Sequence, residues 1–127
     1  MEKKTIEVVA GVIKQDNKFF IAQRANKGEL AMKWEFPGGK IEPDETPENA
    51  LSRELLEELN IRVKVNKFIT TVFHEYHSFK LIMHVFAVDI VDGHIRLNEH
   101  LDYKWLSKLE LLNLDLADAD KPILAMI

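Results

Sequence analysis

The sequence predicts a single α/β domain, and three observations carry that expectation. Its 127 residues match the commonest natural domain size, roughly 100 to 150 residues, so one core is expected over residues 1–127. Runs rich in β-branched and aromatic residues alternate with an amphipathic stretch bounded by helix signals. A hydrophobic fraction of 46% with a charged fraction of 30% is the balance of an ordinary globular protein, neither disordered nor membrane-embedded.

The elements follow in order. Thr5 to Ile13, "TIEVVAGVI", is β-branched; "KQDNK" supplies a polar turn with Asp16 and Asn17; Phe19 to Arg24, "FFIAQR", returns as the second arm of a hairpin. "ANKGELAMK" reads as a loop, and Pro37, Gly38 and Gly39 are expected to break any regular element. A helix is expected from Pro47 to Leu59, capped by Thr46, because proline costs least where the first helical N–H is unpaired anyway. Ala50, Leu51, Leu55 and Leu59 fall on one side of it, and Asn60 tolerates the left-handed conformation that ends a helix. Two long strands, "VKVNKFITTVFHEY" and "FKLIMHVFAVDIV", flank a turn near His77 and Ser78, followed by two shorter ones, "GHIRL" and "YKWL". "SKLE", Ser107 to Glu110, is a capping box opening a short helix, and "DADKPILAMI" makes a terminal one.

Composition excludes several function classes. With no cysteine there is no disulfide, thiolate zinc site or thiol nucleophile. No run reaches the ~20 apolar residues that span a bilayer, and the N-terminal apolar stretch is broken by Glu7, so a cytoplasmic protein without membrane partners is expected. A net charge of −4 with scattered basic residues lacks the basic patch of a nucleic-acid binder. The five histidines, His74, His77, His84, His94 and His100, lack zinc spacing and read as structural or peripheral.

The stretch "EFPGGKIEPDETPENALSRELLEELNI" carries the chemistry. Glu54, Glu57 and Glu58 lie three and four positions apart, hence on one helix face, where like charges repel by roughly 0.2 to 0.5 kcal/mol per pair. An acidic run is ordinarily a solvated face. Here a bound cation is the better account, and carboxylates without His or Cys make a hard, all-oxygen site suited to Mg²⁺, with Mn²⁺ second. Such an ion would also offset the repulsion between an acidic protein and an anionic substrate.

As a pattern, Gly39 is followed after five residues by Glu45, and after seven more by Arg53, Glu54, Leu55, any residue, Glu57, Glu58, any residue, Asn60 and Ile61. Six specified letters at residue usages of roughly 5 to 7% coincide on the order of once in ten million windows. The pattern resembles the Nudix box, with Asn60 where the family has glycine. Over essentially its whole length the chain is similar to MutT-like nucleoside triphosphate pyrophosphohydrolases, most of all their CTP and modified dCTP branch, through "FFIAQR", "KWEFPGGKIEPDETPE" and a late "DKPI".

The resemblance implies an α/β/α Nudix sandwich with a mixed sheet. It implies Mg²⁺-dependent hydrolysis of a cytosine or 8-oxoguanine nucleoside triphosphate to the monophosphate and pyrophosphate, by a monomer or weak homodimer. It assigns Gly38, Glu54, Glu57 and Glu58 as metal ligands, with Glu99 joining from a loop. Glu54 or Glu99 is then the general base, and Arg53 orients the box glutamates, Glu45 included. Arg24 and Lys40 match basic residues near the nucleotide and its phosphates, and Phe36, like Tyr76 and Phe79, is an aromatic able to stack on a base, although aromatics in strands more often belong to the core. Asp120 matches the base-contacting position. Its ordinary role would be to favour the N-terminus of the last helix; as an ionised, accept-only carboxylate it would suit the amino group of cytosine. Proline-marked ADP-ribose hydrolases fit less well, because no proline occurs between Pro47 and Pro122. Tyr76 keeps a dinucleoside polyphosphate hydrolase open, and a non-catalytic nucleotide-binding module is disfavoured by the intact carboxylates.

Overall fold

A computed structural model describes residues 2–127. Lys4–Gln15 (β1) and Lys18–Gln23 (β2) form the expected hairpin, joined by Asp16 and Asn17, both at positive φ as a tight turn between twisted strands requires. Trp34–Glu35 (β3), Gly38–Lys40 (β4), Ile61–Glu75 (β5), Phe79–Gly93 (β6) and Asp102–Leu106 (β7) complete a mixed sheet in the order β3-β2-β1-β6-β5. Strand β4 also pairs with β1, and β7 with β2. Only β1 and β6 run parallel; the other pairs are antiparallel.

Alternation along β1 and β2 builds two cores. Val9, Ile13, Phe20 and Ala22 point to the face covered by helix α1 (Pro47–Leu59), where they meet Ala50, Leu51, Leu55 and Leu59. Ala10, Val12, Phe19 and Ile21 point to the opposite face, under Leu111 of the short helix α2 (Lys108–Leu111) and under Ala119, Ile123 and Leu124 of the terminal 3-10 helix, Asp118–Met126. The result is the α/β/α layering, and no helix among the described residues is long and apolar enough to cross a membrane.

Helix α1 forms where its caps put it. Thr46 Oγ1 accepts from Asn49 N at 3.1 Å, and Asn60, left-handed at φ 61°, donates its N–H to Leu56 O at 3.0 Å. Truncating fully buried Leu55 to alanine would cost about 2 to 5 kcal/mol through lost burial and a residual cavity.

Two expectations are corrected. Gly38 and Gly39 do not end regular structure: they pair with Ala10 and Val9 as part of β4. Their lack of a side chain permits the approach, since a Cβ on Gly38 would overlap the carbonyl of Val9 and one on Gly39 the carboxyl group of Glu54. "GHIRL" is not a strand beyond Gly93. Its backbone partners come instead from the end of α1, with Arg96 N donating to Leu59 O at 2.9 Å and Asn98 N to Glu58 O at 3.1 Å, which satisfies carbonyls a helix terminus leaves free.

Candidate active site

The last three turns of α1, strand β4 and the segment after β6 enclose an open cleft of about 780 Å³. Glu54, Glu58 and Glu99 line it together with Gly38, Lys40 and Arg24. Behind them Arg53 works as a hub. Its Nε and Nη2 grip both oxygens of Glu45 at 2.7 and 2.9 Å, Nη1 reaches Glu54 at 2.9 Å and Glu57 at 3.2 Å, and Nη2 also donates to Lys40 O at 3.0 Å. One planar fork thus ties the loop carrying Glu45, strand β4 and the acidic face of α1 into a single frame, which a lysine's point charge could not do.

The carboxyls in this frame diverge in acidity. Glu45 is held down to about 2, chiefly by its hydrogen bonds from Arg53 and secondarily by the N–H of Glu42. Burial pushes Glu54 above its ordinary value, opposed by Arg53, and pushes Glu58 up as well, with the nearby Glu99 adding to the rise. Glu54 and Glu58 therefore face the cleft as partly buried, incompletely compensated charges, the condition that a bound cation relieves.

Glu57 stands apart from that pair: its side chain is 58% exposed, it is engaged by Arg53, and it is not among the walls of the cleft. Among the described residues no three acidic or histidine side chains already converge on one metal position. The donor set nevertheless fits a hard cation, being all oxygen, and the missing Cβ of Gly39 leaves backbone lying directly against the Glu54 carboxyl.

A second, smaller cavity of about 200 Å³ adjoins the first and shares Arg24, Glu35, Gly38, Gly39 and Lys40 as walls. Its remaining lining is largely apolar, including Phe36, Tyr76, Phe79 and Met83, with Asp120 as the polar exception. Asp120 is buried, and its Oδ2 accepts from Phe36 N at 2.8 Å across the fold. It caps nothing: Ala117 occupies the N-cap of the terminal helix, without a side-chain hydrogen bond. Burial raises the Asp120 carboxyl well above its usual value, and Glu35 adds to this against the opposing pull of Phe36 N–H and Arg24. Burial therefore favours the neutral form of a group expected to be ionised and accept-only. Tyr76, buried in the wall of the same cavity, is raised to about 12 mainly by burial, and its hydroxyl accepts from Ala119 N at 2.8 Å.

Sequence reasoning missed Glu35 and His100. Glu35 walls both cavities and His100 lines the acidic cleft, and Glu35 pairs with Arg24 at 3.1 Å and with His100 at 3.0 Å. The only signal was position, since Glu35 opens the acidic stretch and His100 follows Glu99. The other histidines are peripheral to the cleft; His84, for example, bridges Thr71 and Glu7 on the sheet.

Comparison with known proteins agrees with this geometry. The chain is 40% identical over 121 residues to the CTP pyrophosphohydrolase of Escherichia coli K12, covering 95% of this chain and 90% of that protein. It is 32% identical over 125 residues to the 8-oxo-dGTP diphosphatase of the same organism, covering 98% and 97%. The crystal structure of the MutT protein from Methanosarcina mazei Go1 superposes with a TM-score of 0.88 at 29% identity, covering 98% of this chain and 94% of that one. With the NUDIX domain pattern matched across residues 8–126, nearly the whole of both cores and both cavities, the chain belongs to the NUDIX domain family.

Proposed function

We propose that this protein hydrolyses a nucleoside triphosphate, preferably CTP, dCTP or a 5-substituted dCTP, to the monophosphate and pyrophosphate. The observation that carries the reading is the pair of adjoining cavities: an acidic cleft for a metal and phosphates, sharing a wall with a largely apolar cavity that is lined in part by Asp120. The likeness to a CTP pyrophosphohydrolase supports the base preference, and that to an 8-oxo-dGTP diphosphatase keeps guanine nucleotides as the comparison substrates.

Nudix hydrolases generally use a divalent metal. In this chain Gly38 through its carbonyl and Glu54, Glu57 and Glu58 through their carboxylates would hold Mg²⁺, or Mn²⁺ in its place. When bound, that ion neutralises phosphate charge and acidifies water. The protein's own groups do the rest. Water adds to a phosphorus, the bridging P–O bond breaks, and pyrophosphate leaves with the bonding pair. Glu99, whose carboxylate has no hydrogen-bond partner among the described residues, takes the water's proton, whereas Glu54 is already engaged by Arg53. Lys40 and Arg24 set the phosphates in the cleft, and Phe36 and Tyr76 bound the base. All of these groups come from one chain, which suits a monomer or weak homodimer acting on the cytoplasmic nucleotide pool.

The test is pyrophosphate release from CTP, dCTP, 5-methyl-dCTP, dGTP and 8-oxo-dGTP, with Mg²⁺ and with chelator. Mg²⁺-dependent release with cytosine nucleotides preferred is the expected result. Metal-independent release, or none from any of the five, would overturn the proposal. Chelation should leave the far-UV circular dichroism unchanged, because both hydrophobic cores close without the site carboxylates.

A further inference from the structure

Glu35 gives one carboxyl oxygen to each of two partners. Oε1 accepts from Arg24 Nη1 at 3.1 Å, and Oε2 lies 3.0 Å from His100 Nε2. The His100 side chain is 7% exposed, and its Nδ1 is sealed from solvent with no hydrogen-bond partner. Nδ1 has nothing to donate to, which places the ring's proton on Nε2, where it donates to Glu35. Burying an unpaired ring nitrogen costs stability that an apolar side chain in the same space would not incur. Space-filling is therefore a poor account of an imidazole here, and its bond to Glu35 is the contact left to explain it.

What that bond holds is the segment carrying Glu99. Upstream, Asn98 is tied to the end of α1 by its N–H to Glu58 O at 3.1 Å and by its side-chain amide to Glu57 O. Downstream, Leu101 N donates to Gln23 O of β2 at 2.9 Å. Between these two anchors Glu99 has no hydrogen-bond partner among the described residues, so the direction of its carboxylate depends on its neighbours. His100 is the side chain that turns inward there, and it lands on Glu35, a residue of the sheet that walls both cavities.

We propose that His100 and Glu35 are positioning residues: the His100–Glu35 hydrogen bond, braced by Arg24, fixes the 98–101 segment so that the Glu99 carboxylate is presented to the cleft. This rests on the reading of Glu99 as the proton acceptor. Misplacement of a reacting group by about 1 Å costs on the order of 100-fold in rate, so the bond should show in turnover more than in substrate affinity.

The test compares His100→Leu, which fills the space without a donor, with His100→Gln, which keeps an N–H at the reach of Nε2, each alone and in a Glu99→Gln background. Steady-state kcat and KM for CTP are measured with Mg²⁺, and thermal melting confirms that each variant is folded. His100→Leu should lower kcat roughly 10- to 100-fold, as loss of a supporting partner does elsewhere, with KM changed less than about 3-fold. His100→Gln should restore most of that loss. In the Glu99→Gln background, His100→Leu should cost less than about 3-fold more, because the group it positions is already gone. Should His100→Leu not fold, His100→Met fills the space without a donor and is read in the same way. A slow Glu99→Gln beside a full-rate His100→Leu overturns the inference alone, as does an undiminished His100→Leu loss in the Glu99→Gln background. A full-rate Glu99→Gln overturns the assignment of Glu99, and the positioning role with it.

Discussion

The two cavities hold negative charge in opposite ways. In the acidic cleft, Glu45 is clamped at both oxygens by a guanidinium and driven down to about 2. In the adjoining cavity Asp120 has one backbone N–H for company, and burial drives it up. The same functional group is thus held toward its anionic form where it is clamped and toward its neutral form where it is buried. A hub such as Arg53 fixes a shape, because breaking its arm to Glu45 or Glu54 leaves a partly buried charge unpaired. A lone group such as Asp120 leaves its second oxygen, which has no partner among the described residues, to be satisfied by whatever enters the cavity.

The largest effects should come from emptying the acidic cleft. Glu54→Gln removes an Arg53-bonded carboxylate of the proposed metal site and should lower kcat by at least ~10²-fold, and Glu57→Gln should do likewise if that side chain leaves Arg53 to join the metal. Initial rates over a range of Mg²⁺ concentrations measure both. A Glu57→Gln variant at full rate would confine the metal site to the walls the cleft now shows, Glu54 and Glu58.

A smaller loss, roughly 10- to 100-fold in kcat, is expected for Arg53→Lys, which keeps the charge but cannot span Glu45, Glu54, Glu57 and Lys40 O at once. Its stability signature has a definite sign. Glu45 is depressed in the folded state, so its contribution is present above the unfolded value near 4.5 and is lost as pH falls toward about 2. The melting temperature of Arg53→Lys should therefore lie below that of the wild type at neutral pH, with the gap narrowing below about pH 4.5. A gap that does not change across that range would mean that Arg53 supports the fold through packing alone.

How much of this was legible in the sequence follows the range of the interactions. Helix α1 was readable to the residue because its determinants are local: Thr46 and Pro47 at one end, Asn60 at the other and a leucine stripe between. The Arg53 hub was legible as a resemblance, and its arms to Glu54 and Glu57 are short-range. Residues 94–97 were misread because β-branched character cannot show that the backbone of Arg96 will pair with Leu59, at a helix terminus 37 residues earlier. The Glu35–His100 contact spans 65 positions and Asp120 to Phe36 spans 84. No periodicity encodes such pairs; only the closed sheet brings them together, and it also decides that Asp120, in the first turn of the terminal helix, is buried.

The smallest effect, and the one that tests the contrast most directly, concerns how Asp120 reads a base. An ionised carboxylate only accepts hydrogen bonds and suits the N4 amino group of cytosine, whereas a protonated one, like asparagine, can also donate to the O6 of a guanine. Because burial raises the carboxyl, the folded state takes up the proton more readily than the unfolded chain. Any stability linked to that proton is present at low pH and lost as pH rises through the folded value. Selectivity should follow the same titration. The ratio of kcat/KM for dCTP over dGTP should rise with pH as Asp120 ionises, reaching about 10-fold above its low-pH value, the scale set by one mismatched buried hydrogen bond of ~1 to 3 kcal/mol. Asp120→Asn, with its donor and acceptor fixed, should give a ratio that is flat with pH and shifted toward guanine. Measuring both substrates from pH 5 to 9 on wild type and variant separates Asp120 from the general pH dependence of turnover, which cancels in the ratio. A wild-type ratio equal to the variant's at every pH would mean that Asp120 serves only to hold the N–H of Phe36, and that base choice belongs to the apolar walls around it.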